Sequence, residues 1–309
     1  MSQKYVGFTV LKGGVQSTIQ DSGRIGFCDI GLTQSGAMDE TAFGYANKLA
    51  GNAFNTPVVE IALGGLALIS TCKQTVAITG ADMHPTLNSE PIGMWQTHRL
   101  EKDDVIRFGF ASKGQFAYLS VAGGFKTPFA YGSFSTSVKE GLGGIDGRKL
   151  IEGDFLPTQG KCLPLKRRLP SILIPSYSDE AVLRVVKGYQ EALFDARAHE
   201  TFFTTTYRYK GEGDRMGYRL CGEKIVPSVT GILSEPICYG AIQIPSHGEP
   251  IVLLKERQTI GGYPKIGSVI AVDCFKLAQL NAGGSIRFQS VTPEEARAEA
   301  LAFRARFTF

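Results

Sequence analysis

Three stretches of this chain gather side chains that can do chemistry. The first is TIQDSGRIGFCDIGLTQSGAMDETAFGYANKLAGN, residues 18–52. It interleaves Gln20, Asp21, Arg24, Gln34, Ser35 and Asp39 with glycines 23, 26, 31 and 36. Loops of this kind set side chains and bare backbone N–H groups against a ligand. An arginine among them can grip a carboxylate or phosphate through two parallel hydrogen bonds. The second, GEGDRMGYRL at 211–220, sets Asp214 beside Arg215, with Arg219 four residues on from Arg215. The third, SEPICYGAIQIPSHGEPIVLLKERQTIGGYP at 234–264, places Ser234, Glu235, Gln243, Ser246 and His247 before an apolar run. Glu256, Arg257, Gln258 and Tyr263 follow that run. Gly261 and Gly262 permit a positive φ and close approach of backbone to ligand. Tyr263 precedes Pro264, which biases it to extended backbone and fixes the direction of its ring.

Each stretch also has a plainer reading. The first could be turns whose Asp and Ser only cap and brace. The second could be a surface ion pair, worth little by itself. The third could be a tight turn that packs Tyr263 into the core. The residue types alone leave both readings open.

Other chemistries find no support. The six cysteines (28, 72, 162, 221, 238 and 274) form no CxxC pair, and the four histidines stand in no HExxH or HxH spacing, so no metal site or redox motif is predicted. The phosphate loop GxxxxGK[ST] is absent, and no GxGxxG opens a helix after a strand. Ser35 sits in QSGAM rather than GxSxG, which leaves a hydrolase elbow unsupported. His247 has no assignable partner. The net charge of +4 is scattered apart from Lys166–Arg168, unlike the concentrated basic face of a nucleic-acid binder. The N-terminal MSQKYVGFTVLKGG lacks a small-residue cleavage site, and no run of eighteen apolar residues occurs. These features predict a soluble, cytoplasmic protein with reduced thiols, no nucleic-acid or membrane partner and no metal.

The elements that must position these residues read mainly as strands. The 37 glycines recur between short apolar runs, a spacing that favours many short strands. QTVAITGA (74–81), AYLSVAGG (117–124), VLRVVKG (182–188) and PIVLLKE (250–256) are predicted strands by their β-branched content and flanking turns. Three helices are predicted. DETAFGYANKLAGN (39–52) has Asp39 as N-cap and Gly51 as stop. DCFKLAQLN (273–281) again starts on Asp. TPEEARAEALAFRARF (292–307) carries a Thr292–Glu295 capping box and Pro293 at its first position. LEKDDVIRFGF (100–110), LIEGDFLP (150–157) and LNAGGSIRFQS (280–290) each set a turn before a closing strand, and the first and third share Ile-Arg-Phe. That pattern suggests a weak internal duplication: two β-rich lobes, each a barrel or curled sheet with a short helix packed on it. The division is placed at 1–165 and 166–309, in the proline-containing stretch KCLPLKRRLPSILIPSYSDE.

Read in order, TIQDSGRIGF, GLTQSGAMDETAFGYANKLAGN, VVEIALGGLAL, AYLSVAGGF, GDRMGYRL and SEPICYGAIQIPSHGEPIVLLKERQTIGGYPKIGSVIAVDCFKLAQL resemble the KipA-like, or allophanate hydrolase subunit 2, family. The resemblance runs over nearly the whole chain. This family includes the C component of ATP-dependent 5-oxoprolinase, and a related segment forms part of the carboxyltransferase domain of urea amidolyase. The resemblance implies a mainly β fold of two cyclophilin-like β-barrel lobes with a few short helices. It implies two partner proteins, one KipI-like and one LamB/YcsF-like. The implied activity is opening of 5-oxo-L-proline to L-glutamate with ATP, and Mg at the level of the complex, by an assembly in which this chain is inactive alone. Two other functions stay open. One is a carboxyltransferase component that takes carboxybiotin from another protein to a urea-like amide, with biotin as cofactor. The other is a KipI-binding antagonist that regulates a sensor kinase.

A lactam amide is a poor electrophile, and ATP would activate it by phosphorylating its carbonyl oxygen before water attacks. That path needs cations for phosphate charge and oriented donors for the lactam. The expected site is a cleft of the 18–39, 211–220 and 256–264 loops. Arg24, Arg215 and Arg219 would bind anionic groups, and Gln243, Gln258 and Tyr263 would orient the amide. Gln20, Ser35, Gly261 and Gly262 would complete the binding set. Asp39 or Asp214 would handle protons or hold an arginine. Against the family pattern, Glu256 stands where Asp is expected and Ile260 where Thr is expected.

Overall fold

The computed structural model describes residues 5–307. The first four residues of the N-terminal stretch read for a leader lie outside the described residues. The fold is mainly β and falls into two compact units. One comprises Met1–Ile25 with Ser35–Tyr177, the other Gly26–Gln34 with Ser178–Phe309.

In the first unit two main sheets form. The larger runs in the order Phe155–Thr158, Val6–Gly13, Leu66–Ser70, Val105–Arg107, Thr86–Leu87 and Glu90–Pro91; the other runs Gln16–Gln20, Val58–Ala62, Phe116–Val121, Gln74–Gly80 and Gln96–Leu100. All of the pairings are antiparallel. Both sheets feed one core, which includes Phe8, Val10, Leu66 and Leu68 from the first and Val59, Ile61, Val76, Ile78 and Leu119 from the second. Helix α1 (Glu40–Ala50) packs across Gln74–Gly80 and Phe116–Val121. Those two strands are therefore buried along their entire length, because the core covers one face and the helix the other. Helix α1 starts and stops where its caps predict. The Asp39 carboxylate accepts from Thr41 N at 3.0 Å and Ala42 N at 3.1 Å, and Gly51 ends the helix in left-handed backbone.

In the second unit seven strands close a barrel. Their order is Glu180–Lys187, Lys265–Val269, Ala241–Gln243, Ile251–Leu253, Gly217–Cys221, Tyr207–Gly213 and Ser285–Ser290. The last strand returns parallel to the first, with Leu183 opposite Phe288. Helix α2 (Ala196–Thr204) lays Phe202 on Phe288, ring centroids 4.4 Å apart. This helix is additional to the three predicted ones. Helix α3 (Ala271–Ala278) begins two residues before the expected Asp273. Asp273 lies inside its first turn, because the carboxylate is drawn to Arg184 rather than to the helix end. It accepts from Arg184 N at 2.9 Å, Nε at 2.8 Å and Nη2 at 3.0 Å. Helix α4 (Pro293–Ala305) has the predicted capping box and N-terminal proline.

The recurrent turn-then-strand pattern is visible in the backbone. Asp103, Gly153 and Gly283 all adopt positive φ, and each lies two residues before a strand, starting at Val105, Phe155 and Ser285. The shared Ile-Arg-Phe points the same way twice. Ile106 and Ile286 are buried, as are Phe108 and Phe288, while Arg107 and Arg287 face out.

Candidate functional site

The predicted site residues divide between the units: Gln20, Arg24, Ser35 and Asp39 lie in the first, and Asp214, Arg215, Arg219, Gln243, Gln258, Gly261, Gly262 and Tyr263 in the second. Each cluster is described by itself.

In the first unit the loop after Gln16–Gln20 is clamped by the segment Ser133–Ser137. Asp21 is fully buried and accepts from Ser133 Oγ at 2.6 Å, Ser135 Oγ at 2.5 Å, Phe134 N at 2.8 Å and Gly23 N at 2.8 Å. Four donors on one carboxylate replace the water it lost. The Asp21 carboxylate therefore acts as a brace. Arg24 is buried beside it, and its Nη2 donates to the Ser135 carbonyl. Gln20 bridges the two segments: Nε2 donates to the Thr136 carbonyl at 3.1 Å and Oε1 accepts from Gly36 N at 3.1 Å. Ser35, held at a φ of 52°, carries a buried Oγ without a hydrogen-bond partner among the described residues. Asp39 caps α1 and also accepts from Tyr177 OH at 2.9 Å, while its N–H donates to Tyr118 OH at 2.7 Å. Tyr118 in turn donates to Glu60 at 2.8 Å. Burial first, and then the charges of Glu60 and Asp39, hold the Tyr118 phenol well above its ordinary range. The serines that bind Asp21 are not among the expected residues. Their signal in the sequence is the alternation Ser133, Ser135, Ser137, which puts three hydroxyls on one side of an extended segment.

In the second unit Arg215 and Arg219 separate. Arg215 is buried in the turn before Gly217–Cys221, whereas Arg219 faces out from the strand. Arg215 Nε donates to Glu256 Oε1 at 2.6 Å, and Glu256 N donates to the Arg215 carbonyl at 2.8 Å. The neighbouring Asp214 is exposed, and its carboxylate closes its own turn by accepting from Met216 N at 2.7 Å. Glu256, the residue that departs from the family pattern, is thus the side chain that grips Arg215.

The Gly-Gly-Tyr-Pro loop forms the edge of a small ribbon, with Ile260–Gly261 paired to Glu235–Pro236. Neither glycine adopts a positive φ. The left-handed backbone that the sequence allows is not used: Gly261 ends the strand, and the need for glycine there is space. A Cβ there would lie 2.6 Å from Ile237 Cδ1 and 2.9 Å from Gln243 Nε2. Gln243 Nε2 is buried without a hydrogen-bond partner among the described residues, so an amide donor stands ready beside the glycine backbone. Tyr263 is 45% exposed and Gln258 is also exposed, so the phenol is not packed in the core. Below the ribbon, Lys265 Nζ lies 2.5 Å from Glu235 Oε1, and Gln190 Nε2 donates to the same oxygen at 2.7 Å. Burial pushes the Glu235 carboxyl up, but Lys265, Tyr189 and Gln190 outweigh it and hold the group below its ordinary range. Lys255 and Lys265, both buried, are not among the expected residues. The sequence does contain a signal: each is a lysine abutting or opening an apolar run.

Similarity to known proteins adds to this geometry. Residues 30–290 match the family described as carboxyltransferase domain, subdomain A and B. The C component of 5-oxoprolinase from Haemophilus influenzae is 34% identical over 282 residues, which span 91% of this chain and 90% of that protein. Its counterpart of the same name from Escherichia coli is 35% identical over 291 residues, 93% of this chain and 92% of that one. Among solved structures, the urea amidolyase of K. lactis superposes with a TM-score of 0.92 at 27% identity, covering 99% of this chain and 20% of that one. A buried arginine–carboxylate pair, an unpartnered amide donor and a glycine ribbon on a closed barrel thus occur in a chain that belongs to the carboxyltransferase domain family, subdomains A and B.

Proposed function

We propose that this chain is one component of an ATP-dependent 5-oxoprolinase and works with KipI-like and LamB/YcsF-like partners to open 5-oxo-L-proline to L-glutamate. The observation that carries the reading is the two-way match. Proteins named as the C component of 5-oxoprolinase align over about nine-tenths of both chains, whereas this chain spans only 20% of the urea amidolyase it superposes on. The setting proposed is the cytoplasm.

The reaction breaks the lactam C–N bond, adds water to the carbonyl carbon and leaves the nitrogen protonated as an amine. ATP would transfer its γ-phosphoryl group to the carbonyl oxygen with ADP leaving, and inorganic phosphate would depart once water has added and the C–N bond has broken; the residues here prepare the lactam for it. Gln243 Nε2 offers a hydrogen bond to the carbonyl. The exposed Tyr263 phenol and Gln258 amide would orient the lactam. Arg215, held by Glu256, would answer the negative charge that develops in the reaction. Among the described residues no group of three or more His, Cys, Asp or Glu side chains is placed to hold a metal, so no step of this proposal runs through Mg on this chain.

A second reading is favoured by the TM-score of 0.92 to urea amidolyase: transfer of a carboxyl group from biotin on another protein to a urea-like amide. One assay separates the two. Glutamate release from 5-oxoproline and ATP is measured with this protein alone, with the KipI-like partner and with both partners. Release only in the three-way mixture is expected. No release from a verified complex, together with carboxylation of urea by a biotin carboxylase and carrier in its presence, overturns the first reading in favour of the second.

A further inference from the structure

Arg257 presents a charge that no carboxylate among the described residues balances. It is 8% exposed. Nε donates to the Ile237 carbonyl at 3.1 Å, and Nη1 donates to the Leu254 carbonyl at 3.3 Å and to Gln34 Oε1 at 3.2 Å. Every one of these acceptors is neutral. The guanidinium also lies over the Tyr239 ring, 5.8 Å from its centroid, and Lys255 Nζ lies 4.7 Å from the same centroid. The acidic groups that reach Arg257 are Cys28, Cys238, Tyr239 and Cys274, three thiols and a phenol rather than carboxylates. Among the described residues no carboxylate forms an ion pair with it, and Nη2 has no hydrogen-bond partner. Burying a guanidinium with only neutral acceptors is costly, and burial accordingly draws its pKa below the ordinary arginine value.

We infer that Arg257 is an anion site for the carboxylate of a small organic acid, which docks on Nη2 beside Tyr239 and Cys238. With Nε and Nη1 spent on protein acceptors, Nη2 is the donor left for one oxygen of a carboxylate. Naming 5-oxoproline as that acid rests on the reading above; the site itself rests on the geometry.

Cys238 is exposed, and Ile237 before it holds Arg257, so this thiol reports on the site. The experiment alkylates the whole protein with iodoacetate, a carboxylate, or with neutral iodoacetamide. Peptide mass spectrometry reads the rate ratio at Cys238 against Cys162 as an internal reference. The ratio is expected to fall about tenfold in Arg257→Gln, the worth of one charge-assisted hydrogen bond, and to be largely kept in Arg257→Lys. An unchanged ratio in a folded Arg257→Gln protein overturns the site. Competition on the wild-type protein does not depend on how the variants fold. Protection by 5-oxoproline and not by 2-pyrrolidinone supports the carboxylate and its identity. Protection by acetate without protection by 5-oxoproline keeps the site and overturns 5-oxoproline as its ligand. Stronger protection by inorganic phosphate than by either acid overturns the carboxylate assignment.

Discussion

At the scale of single residues, the second unit is organised by charges taken out of water. Arg215 and Glu256 are the clearest pair, with side-chain exposures of 7% and 12%. Removing the Glu256 charge takes a buried ion-pair partner from Arg215, which costs about 3 kcal/mol or more. Glu256→Gln is therefore expected to lower stability by about 3 kcal/mol in urea unfolding, and a double change to apolar side chains is expected to recover most of that. A double variant as unstable as the single one would contradict the pair's role. Arg215→Ala then tests catalysis only when its melt is measured beside its activity. Little of this is legible in the sequence. The spacing of Asp214, Arg215 and Arg219 suggests one network, but a β-strand alternates its faces, so Arg215 turns in and Arg219 out. The partner that matters is 41 residues away. Asp39 is legible for the opposite reason: capping is decided within three residues, and its type and place announce it.

At the scale of elements, local signals can be read and distant ones cannot. The capping box of α4 and the ends of α1 involve neighbours in sequence. The start of α3 departs from its expected place because Asp273 answers to Arg184, 89 residues earlier. That pair has a pH consequence. Burial raises the Asp273 carboxyl, but hydrogen bonds from Arg184 and Lys276 outweigh it and leave the group below its ordinary value of 3.8. A depressed carboxylate adds stability that is fully present above the unfolded value and lost as pH falls through the folded one. The wild-type protein is thus expected to keep this contribution down to about pH 4 and to lose it progressively below. Asp273→Asn is expected to be about 2 kcal/mol less stable at pH 7, with a shallower loss in acid. Urea unfolding from neutral pH down to about pH 2.5 checks this; an acid limb unchanged in the variant would remove Asp273 from the account. Helix α2 escapes the sequence because Ala196–Thr204 buries only Ala198 and Phe202, too few apolar positions to mark a period.

At the scale of the whole molecule, the mainly β class is legible, since short apolar runs between glycines leave few other architectures. Closure of the second barrel by a parallel return from Ser285–Ser290 to Glu180–Lys187 is not, because no local pattern encodes a pairing between strands so far apart in the chain. One feature of the chain path bears on inheritance as much as on folding. The polypeptide leaves the first unit at Ile25, lends Gly26–Gln34 to the second, and comes back at Ser35. A gene cut at the Tyr177–Ser178 seam would therefore not yield two self-sufficient cassettes. The downstream piece, expressed alone, is missing Gln34, which accepts from Arg257 Nη1, and it is expected to melt lower than when a peptide carrying residues 26–34 is supplied; equal melting with and without the peptide would show that the loan is dispensable. On this account fission and reshuffling of such genes at the seam are disfavoured, and the two halves travel together.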